Sequence, residues 1–371
     1  METYLPTRIF FKDGNLIQKS SFLNDNEKTF LIISNSIRGI YPNIINDINP
    51  SSVYSSIGSN PSLKELQEIK IPKGITQVVG IGGGSKLDAA KAIFARIITK
   101  DRFSLIKMIK NTNLIDDYIN QRHLYKLILI PTTFGTSSEI TKWGTIWDLD
   151  AKKKYSISHD ILYSDIALIF PELGLTASHN VTAFTGLDTF SHALESLWNK
   201  SRNFYTVNLA LKSIEMCLEN LPLVLKNLKS KHYRKLMAQT TIFAGMAFSQ
   251  TKTAAAHALS YPLTIHHNIP HGYACSLTLG AMFDYNLSKQ PELKIVLELI
   301  QRKYGSKNST FSECFQKFLE ACNIKSRLRN YGLNSNDIPK LVKESFHPER
   351  FNNMSHTLSE KEVEKIFQQV L

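Results

Sequence analysis

The fold prediction depends on one stretch of the chain, Thr76-Gln77-Val78-Val79-Gly80-Ile81-Gly82-Gly83-Gly84-Ser85. Its first part is an apolar run typical of a buried strand, and residues 87–98 follow with the spacing of a helix. The glycines between them allow a tight turn, and the N–H groups that open the helix suit an anion such as a phosphate. A plain strand-to-helix turn is the alternative interpretation of this stretch taken alone.

Apolar runs of the same kind occur elsewhere in the first half of the chain, at residues 29–34, 124–130 and 166–170, with a helical pattern near residues 37–47. Buried strands that alternate with helices predict a parallel sheet covered on both faces. After about residue 175 the pattern becomes helical, with amphipathic stretches at 181–198, 204–228, 231–250 and 292–322. A chain of 371 residues is long enough for two cores, so we predict an α/β domain over residues 1–174 and an all-α domain over residues 175–371.

Composition limits the classes of function. The net charge is +12, but the basic residues are spread along the chain, so we expect no nucleic-acid binding and a field that favours small anionic ligands. The cysteines show no CxxC spacing and predict buried or free thiols rather than disulfides; they are Cys217, Cys275, Cys314 and Cys322. Residues 1–6 lack a signal peptide pattern and no apolar run reaches eighteen residues, so we expect a cytoplasmic protein without a membrane segment.

A second loop rich in hydroxyl groups follows the strand at residues 124–130, with the sequence Pro131-Thr132-Thr133-Phe134-Gly135-Thr136-Ser137-Ser138-Glu139. Open parallel sheets bind ligands at the carboxyl ends of their strands, where hydroxyls and N–H groups suit phosphate, ribose or a nicotinamide amide. An ordinary Ser/Thr capping turn is the alternative. Residues 82–85 form neither a P-loop nor a standard Rossmann fingerprint, because Ser85 stands where the third glycine belongs.

Candidate metal ligands lie in the second half of the chain. In Gly186-Leu187-Asp188-Thr189-Phe190-Ser191-His192-Ala193-Leu194-Glu195-Ser196 the spacing of Asp188 and His192 places both side chains on one face of a helix. Together with His257 and His271, they form a ligand set that suits a divalent transition metal. A polar patch on a solvated helix is the alternative for the Asp188/His192 pair. His266 and His267 precede Pro270 in a predicted loop, and we expect both to be surface histidines.

These motifs resemble the iron-containing (type III) alcohol dehydrogenase family along nearly the whole chain. Residues 82–91 resemble the GGGSxxDxAK loop of that family, which implies cofactor contacts through Gly82, Gly83, Gly84, Ser85 and Asp88. Residues 131–139 are similar to its PTTxGTxSE loop, which implies further contacts through Thr132, Thr133, Thr136 and Ser138. Lys154 falls where the family has a lysine that contacts the nucleotide.

The same resemblance covers the metal motifs, since residues 186–196 resemble the GxDxxxHxxE helix and the fourteen-residue spacing of His257 and His271 is the family's own. It implies a Rossmann-like α/β domain joined to an all-α metal-binding domain, as in dehydroquinate synthase-like folds. The implied ligands are Asp188, His192, His257 and His271, with Fe(II) as the metal and zinc as the alternative. The implied cofactor is NADH or NADPH, and the family-level expectation is a homodimer.

The implied reaction is reversible hydride transfer between C4 of the nicotinamide and an aldehyde carbon whose oxygen is bound to the metal. Within the family, residues 251–264 most resemble phosphonoacetaldehyde reductases, which form 2-hydroxyethylphosphonate. Lys252 stands between two threonines five residues before His257, so it is a candidate to hold a phosphonate or carboxylate; a solvent-facing lysine is the alternative. A general alcohol dehydrogenase, a lactaldehyde or semialdehyde reductase, a lyase of the dehydroquinate synthase type and a non-catalytic nucleotide-binding protein are the competing functions.

Two positions depart from the family pattern. Tyr261 stands where the family often has a histidine credited with relaying a proton, so Tyr261 itself, water or the cofactor ribose is left for that role. Asn35 stands where many members have an acidic residue that binds the adenosine ribose. Without that carboxylate a 2′-phosphate is not repelled, so the sequence favours neither NADH nor NADPH.

Overall fold

A computed structural model describes residues 3–12, 28–58, 60–151 and 153–371 of the chain. Met1 and Glu2, which belong to the amino-terminal stretch interpreted above, lie outside the described residues. The chain divides into two units at Ala177, since Leu5–Ala177 forms one unit and Ser178–Leu371 forms the other, to which Thr3 and Tyr4 also belong. The sequence-based boundary, between residues 174 and 175, lies three residues before this division.

The first unit is built on a parallel sheet of six strands, which are β1 (Arg8–Phe11), β2 (Thr29–Ile33), β3 (Ser52–Tyr54), β4 (Gln77–Gly82), β5 (Lys126–Pro131) and β8 (Ile166–Ile169). They lie in the order β1-β8-β5-β4-β2-β3. A separate antiparallel pair consists of β6 (Trp143–Asp148) and β7 (Lys153–Ser158). Its α-helices are α1 (Asn35–Ile40), α2 (Ile44–Ile48), α3 (Leu63–Glu68), α4 (Gly84–Ile98) and α5 (Leu105–Lys110). Short 3₁₀ segments cover Thr112–Leu124, Ser138–Ile140, Asp160–Leu162 and Pro171–Thr176.

The predicted parallel sheet is confirmed, and its central strands explain why the sequence reveals it. Every residue of β2 and β4 is buried, because the two faces of the sheet lie in separate apolar clusters. The strands that the sequence did not reveal are short or partly exposed, as in β1 and β3, so they lack a continuous apolar run. The helix predicted near residues 37–47 is wrong in detail, since α1 and α2 are separate short helices.

The second unit is helical within its described residues. Its α-helices are α6 (His179–Leu197), α7 (Phe204–Lys226), α8 (Lys231–Thr251), α9 (Ala255–His267), α10 (His271–Leu277), α11 (Leu279–Leu287), α12 (Lys294–Tyr304), α13 (Phe311–Ala321), α14 (Ile338–Ser345), α15 (Pro348–Phe351) and α16 (Glu360–Val370). Short 3₁₀ segments cover Pro291–Leu293, Leu328–Tyr331 and Ser335–Asp337. The stretch predicted as helical at 292–322 is interrupted, because α12 ends before Gly305 and Thr310 caps a new helix through a capping box with Glu313.

The structure tests two expectations drawn from composition, the state of the cysteines and the absence of a membrane segment. All four cysteines are buried free thiols, as predicted. Among the described residues, none of the helices combines the length and the apolar character that a membrane crossing requires.

Candidate functional site

Helix α6 carries Asp188 and His192 on one face, as predicted. Asp188 Oδ1 lies 3.7 Å from His192 Nε2, and both side chains are buried. The alternative of a polar patch on a solvated helix is therefore wrong. The imidazole of His192 stacks on Phe248 of α8, with a centroid separation of 4.0 Å, so packing fixes the plane of that ring.

Helices α9 and α10 bring the other two predicted ligands to the same place. His257 Nε2 lies 3.5 Å from Asp188 Oδ1. The ring of His257 stacks with that of His192 at 4.8 Å and meets the ring of His271 edge-on at 5.4 Å. The sequence separates these four residues by up to 83 positions, and the fold of the helical unit gathers them into one buried cluster, called here the metal cluster.

Gly272 allows α10 to approach α6 closely enough to form the metal cluster. A Cβ atom on Gly272 would lie 1.8 Å from the carbonyl oxygen of Phe184 and 3.2 Å from Cβ of Asp188. No side chain fits in that space, so the glycine after His271 is a packing requirement of the site.

Glu195, one turn beyond His192 on α6, orients His257. Its side chain is fully buried, and its Oε2 accepts hydrogen bonds from His257 Nδ1 at 2.6 Å and from the backbone N–H of Ala254 at 2.9 Å. Oε1 accepts a further bond from the backbone N–H of His257 at 3.2 Å. Because Nδ1 carries the proton in this arrangement, the lone pair of Nε2 faces Asp188 and is available to a metal. The sequence places Glu195 in the helix motif but gives it no role.

Cys275 also lies at the metal cluster, and sequence reasoning did not assign it to the site. Its Sγ is 3.7 Å from His271 Nε2 and 3.8 Å from Nδ1. One ligand atom each from Asp188, His257, His271 and Cys275 can be chosen so that all lie within 4.8 Å of one another. The available signal is its i+4 spacing from His271, which places the two side chains on one face of α10.

The residues present fit a divalent metal. Among the described residues, Asp188 Oδ1 and His257 Nε2 are buried without a hydrogen-bond partner, a costly arrangement unless a further group binds them. Burial by itself would raise the pKa of Asp188, but the neighbouring imidazoles His192, His257 and His271 outweigh that effect and lower it. Asp188 is therefore a carboxylate, and carboxylate and imidazole are ligands that suit iron, zinc and related ions.

The residues predicted to act on the substrate, Tyr261 and Lys252, are close in sequence to the proposed ligand His257. Tyr261 follows His257 by one turn of α9, and its Oη accepts a hydrogen bond from Arg350 Nε at 3.2 Å. Lys252 ends α8 with an exposed side chain and with φ +64° and ψ 174°, a backbone conformation that L-residues rarely adopt. The loop predicted for His266 and His267 is wrong, because both belong to α9. His266 is exposed, as expected, and pairs with Glu344 at 2.7 Å, whereas His267 is partly buried.

In the α/β unit, the two loops predicted to bind the cofactor follow neighbouring strands and contact each other. Gly82 at the end of β4 pairs with Pro131 at the end of β5. A Cβ atom on Gly84 would lie 2.7 Å from the side chain of Thr136, and one on Gly83 would lie 3.2 Å from Thr133 Oγ1. These glycines are therefore needed for the close approach of the loops as well as for any phosphate.

Asp88 connects the glycine loop to the hydroxyl-rich loop. Its carboxylate accepts a hydrogen bond from Ser138 Oγ at 2.6 Å and another from the backbone N–H of Thr145 at 3.0 Å. Each carboxylate oxygen thus has a partner within the protein, and Ser138 directs its hydroxyl proton to Asp88. In the structure these two side chains connect the loops to each other. Direct contacts of Asp88 and Ser138 with a cofactor stay predictions.

A buried charge network lies behind these loops. Lys91 Nζ donates to Ser138 Oγ and Thr141 Oγ1, both at 3.1 Å, and to the carbonyl of Trp143 at 2.8 Å. Burial lowers the pKa of Lys91 to about 8, and burial raises the pKa of Glu139 to about 7. The three hydrogen bonds of Lys91 therefore attach the end of the hydroxyl-rich loop, from Ser138 onward, to helix α4.

The remaining predicted cofactor residues lie around the same sheet edge. Asn35 opens α1 directly after β2 and is exposed. Ser85 lies in the first turn of α4, and Thr132 donates its backbone N–H to the Gly82 carbonyl at 3.0 Å. Lys154 lies on β7, with Nζ 5.7 Å from the ring centroid of Trp147. Their roles toward a cofactor stay predictions.

Comparison with known proteins identifies the family. Residues 6–171 match the model of iron-containing alcohol dehydrogenases, and residues 182–371 match that of the C-terminal region of the Fe-containing alcohol dehydrogenase family. The chain belongs to the iron-containing alcohol dehydrogenase family. It is therefore an alcohol dehydrogenase or aldehyde reductase linked to NAD(H) and a metal, which confirms the resemblance inferred from the motifs.

Individual relatives show how far the similarity extends. Sulfoacetaldehyde reductase of Bilophila wadsworthia is 27% identical over 81% of this chain and 79% of its own length. The 1-propanol dehydrogenase of Salmonella typhimurium is 30% identical over 77% of this chain and 74% of its own length. The crystal structure of sulfoacetaldehyde reductase from Bifidobacterium kashiwanohense in complex with NAD+ has a TM-score of 0.84 and 25% identity, covering 100% of this chain and 98% of that chain.

Proposed function

We propose that this chain reduces small anionic aldehydes with NADH or NADPH, and that phosphonoacetaldehyde is a substrate. The observation that supports the proposal most directly is the buried metal cluster, in which the His257 imidazole is hydrogen-bonded to Glu195. The substrate class is supported by two relatives named for sulfoacetaldehyde, an aldehyde that carries an oxyanion as phosphonoacetaldehyde does. The net charge of +12 also favours anionic substrates.

Asp188, His192, His257 and His271 would hold the metal, and Cys275 lies close enough to compete as a ligand. When bound, the metal supplies Lewis-acid polarisation of a carbonyl group and the nicotinamide supplies a hydride. Glu195 keeps the proton of His257 on Nδ1, and the burial of these side chains keeps bulk water from competing for their donor atoms.

Tyr261 is the residue we propose as the proton donor to the product oxygen. Its Oη accepts the hydrogen bond from Arg350 Nε, so that contact uses an oxygen lone pair of the phenol and not its O–H. Tyr261 also lies one helical turn from His257, which places the phenol on the same side of α9 as a ligand of the metal cluster.

The cofactor proposal includes both NADH and NADPH. The segment that follows β2 runs Ser34-Asn35-Ser36-Ile37-Arg38 and contains no carboxylate. A ribose 2′-phosphate is therefore not repelled there by a side chain of this segment. Comparing kcat/KM for the two cofactors, and repeating the comparison in Asn35→Asp, tests this: the substitution should shift preference toward NADH.

The central experiment measures NAD(P)H oxidation with phosphonoacetaldehyde, sulfoacetaldehyde, lactaldehyde, succinic semialdehyde and propanal. We expect net oxidation with the anionic aldehydes, and we expect Asp188→Ala and His271→Ala to lose bound metal and turnover together. Unchanged metal content and turnover in both variants would contradict the proposal. Net oxidation of the cofactor also separates a reductase from a lyase that uses NAD only transiently.

A homodimer, a cytoplasmic location and the absence of nucleic-acid binding stay predictions. Light scattering measures the mass of the assembly, and titration with labelled DNA and RNA at physiological salt tests the last of these.

A further inference from the structure

Arg350 places a guanidinium group beside Tyr261, the residue one helical turn beyond the proposed metal ligand His257 on α9. It lies on the short helix α15, which packs against α9, and its Nε donates to Tyr261 Oη at 3.2 Å. Tyr261 follows His257 by four residues, which is about 6 Å along a helix axis on the same face. We propose that Arg350 binds the anionic group of the substrate, an inference that rests on the proposed function.

The proposal is supported by the hydrogen-bond donors of Arg350 that the rest of the described chain leaves unused. A guanidinium carries five N–H donors, four of them on Nη1 and Nη2. Among the residues that the structure describes, neither Nη atom of Arg350 has a hydrogen-bond partner, although the side chain is partly buried. Arg96 and Arg122 show the usual arrangement, since each donates from Nε and from both Nη atoms to carbonyls or carboxylates.

No carboxylate neutralises Arg350 at close range within the described part of the chain. Glu195 and Glu349 are near enough for their charges to act on it, but neither forms an ion pair with it. The oxygens of Glu195 are already occupied by Ala254 and His257. The positive charge and the Nη donors of Arg350 therefore remain available to an anion.

The segment around Arg350 is held in place by backbone contacts. Asn353 Nδ2 donates to the Thr253 carbonyl at 2.7 Å, and the Asn353 carbonyl accepts from the Lys200 backbone at 2.9 Å. Thr253 belongs to the loop between α8 and α9, which also contains Lys252 with its positive φ angle. The Lys252 carbonyl accepts a hydrogen bond from Asn199 Nδ2 at 3.3 Å. These bonds attach the segment directly after α15 to the loop between α8 and α9, and the bond to Tyr261 orients the guanidinium itself.

The chemistry of the group defines the ligand class. A guanidinium binds the paired oxygens of phosphonate, sulfonate or carboxylate through two parallel hydrogen bonds, which an ammonium cannot reproduce. The anion site lies beside Tyr261, which is one turn of α9 from His257, and this arrangement suits a short aldehyde with an oxyanion at its far end. Neutral alkanals would leave the Nη donors unused.

The test compares Arg350→Gln, Arg350→Lys and Tyr261→Phe with the wild type and with Arg329→Gln, a control at an exposed arginine. The readouts are metal content, kcat/KM for phosphonoacetaldehyde, sulfoacetaldehyde and propanal, and the inhibition constant of methylphosphonate. In Arg350→Gln we expect the ratio of kcat/KM for anionic over neutral aldehydes to fall about 30- to 100-fold, since a charge-assisted bidentate contact is lost. Inhibition by methylphosphonate should weaken in parallel, Arg350→Lys should recover only part of the ratio, and metal content should not change.

Each outcome has one meaning. If Arg350→Gln lowers kcat/KM for all three aldehydes equally, or if Tyr261→Phe reproduces its change of ratio, Arg350 acts through Tyr261 and the inference is wrong. If the wild type prefers anionic aldehydes and Arg350→Gln keeps that preference, the inference fails while the proposed function stands. If the wild type oxidises NAD(P)H with none of the aldehydes, the proposed function fails and the inference falls with it.

Discussion

Replacing Glu195 by glutamine should weaken metal binding without removing any metal ligand. The carboxylate accepts three hydrogen bonds, two on Oε2 and one on Oε1. A glutamine with its oxygen in the Oε2 position keeps two of them, but its amide N–H₂ then faces the backbone N–H of His257. The Nδ1–H of His257 would donate to a neutral oxygen instead of an anion, so Nε2 becomes a weaker base.

The magnitude follows from these contacts. Losing a partner that orients a metal-binding histidine typically costs 10- to 100-fold in metal affinity, which is about 1.4–2.8 kcal/mol at 1.4 kcal/mol per tenfold. The metal-free protein should also lose about 1.5–3 kcal/mol of unfolding free energy, the usual value of a hydrogen bond to a charged group. Burial raises the cost because water cannot replace the missing acceptor.

Competition with a chromophoric chelator measures the affinity for Zn²⁺ and for Fe²⁺ under anaerobic conditions, and urea unfolding measures the stability of the apoprotein. The matched control is Glu215→Gln, which removes an exposed ion pair with Lys212 at 2.8 Å and should change either quantity by less than about 1 kcal/mol. A metal affinity in Glu195→Gln within threefold of the wild type would refute the role given to this carboxylate.

Three further substitutions test other parts of the structure. Gly272→Ala should lower the free energy of unfolding by about 1–3 kcal/mol or more and weaken metal binding, because its Cβ would overlap the Phe184 carbonyl. Gly39→Ala is the control, since a Cβ there would meet no neighbouring group among the described residues within 4 Å. Equal urea midpoints for the two variants would contradict this prediction. Glu139 has a pKa raised from 4.5 to about 7, so the stability it contributes at low pH is lost as pH rises from about 4.5 to about 7, on the order of 3 kcal/mol. Glu139→Gln should remove that part of the pH dependence of unfolding, and an unchanged profile would show that another group causes it. With Co²⁺ bound, we expect no sulfur-to-cobalt charge-transfer band, because the proposed ligands are Asp188, His192, His257 and His271; a band that disappears in Cys275→Ser would show that Cys275 is a ligand in place of His192.

The parts of the fold that the sequence predicts are those whose signal is local. The strand at 77–82 and the helix at 84–98 are adjacent, and a buried apolar run followed by glycines has few other solutions. The spacing of Asp188 and His192 is likewise decided within one turn of α6. The loop predicted for His266 and His267 was placed before Pro270, yet α9 continues through Pro262 and ends only at His267.

What the sequence could not predict depends on contacts between distant segments. Glu195 gains its role only when α9 brings His257 and Ala254 to it, about sixty residues later in the chain. Arg350 contacts Tyr261 only because α15 packs against α9, and the two residues are 89 positions apart in the chain. No local pattern contains that information. Cys275 is different, because its i+4 spacing from His271 is a local signal.

The pairing of β1 with β8 has a consequence for synthesis of the protein. Arg8–Phe11 lies beside Ile166–Ile169 in the sheet, so the strand made first needs one made roughly 150 residues later. At about 5–20 residues per second, a ribosome leaves β1 without β8, its partner among the described residues, for on the order of ten to thirty seconds. β8 also pairs with β5, so its arrival joins β1 to strands that can already have formed. During that time the edge of β1 that β8 covers in the folded chain has not yet met its partner, and we expect slower translation before residue 166 to increase dependence on chaperones.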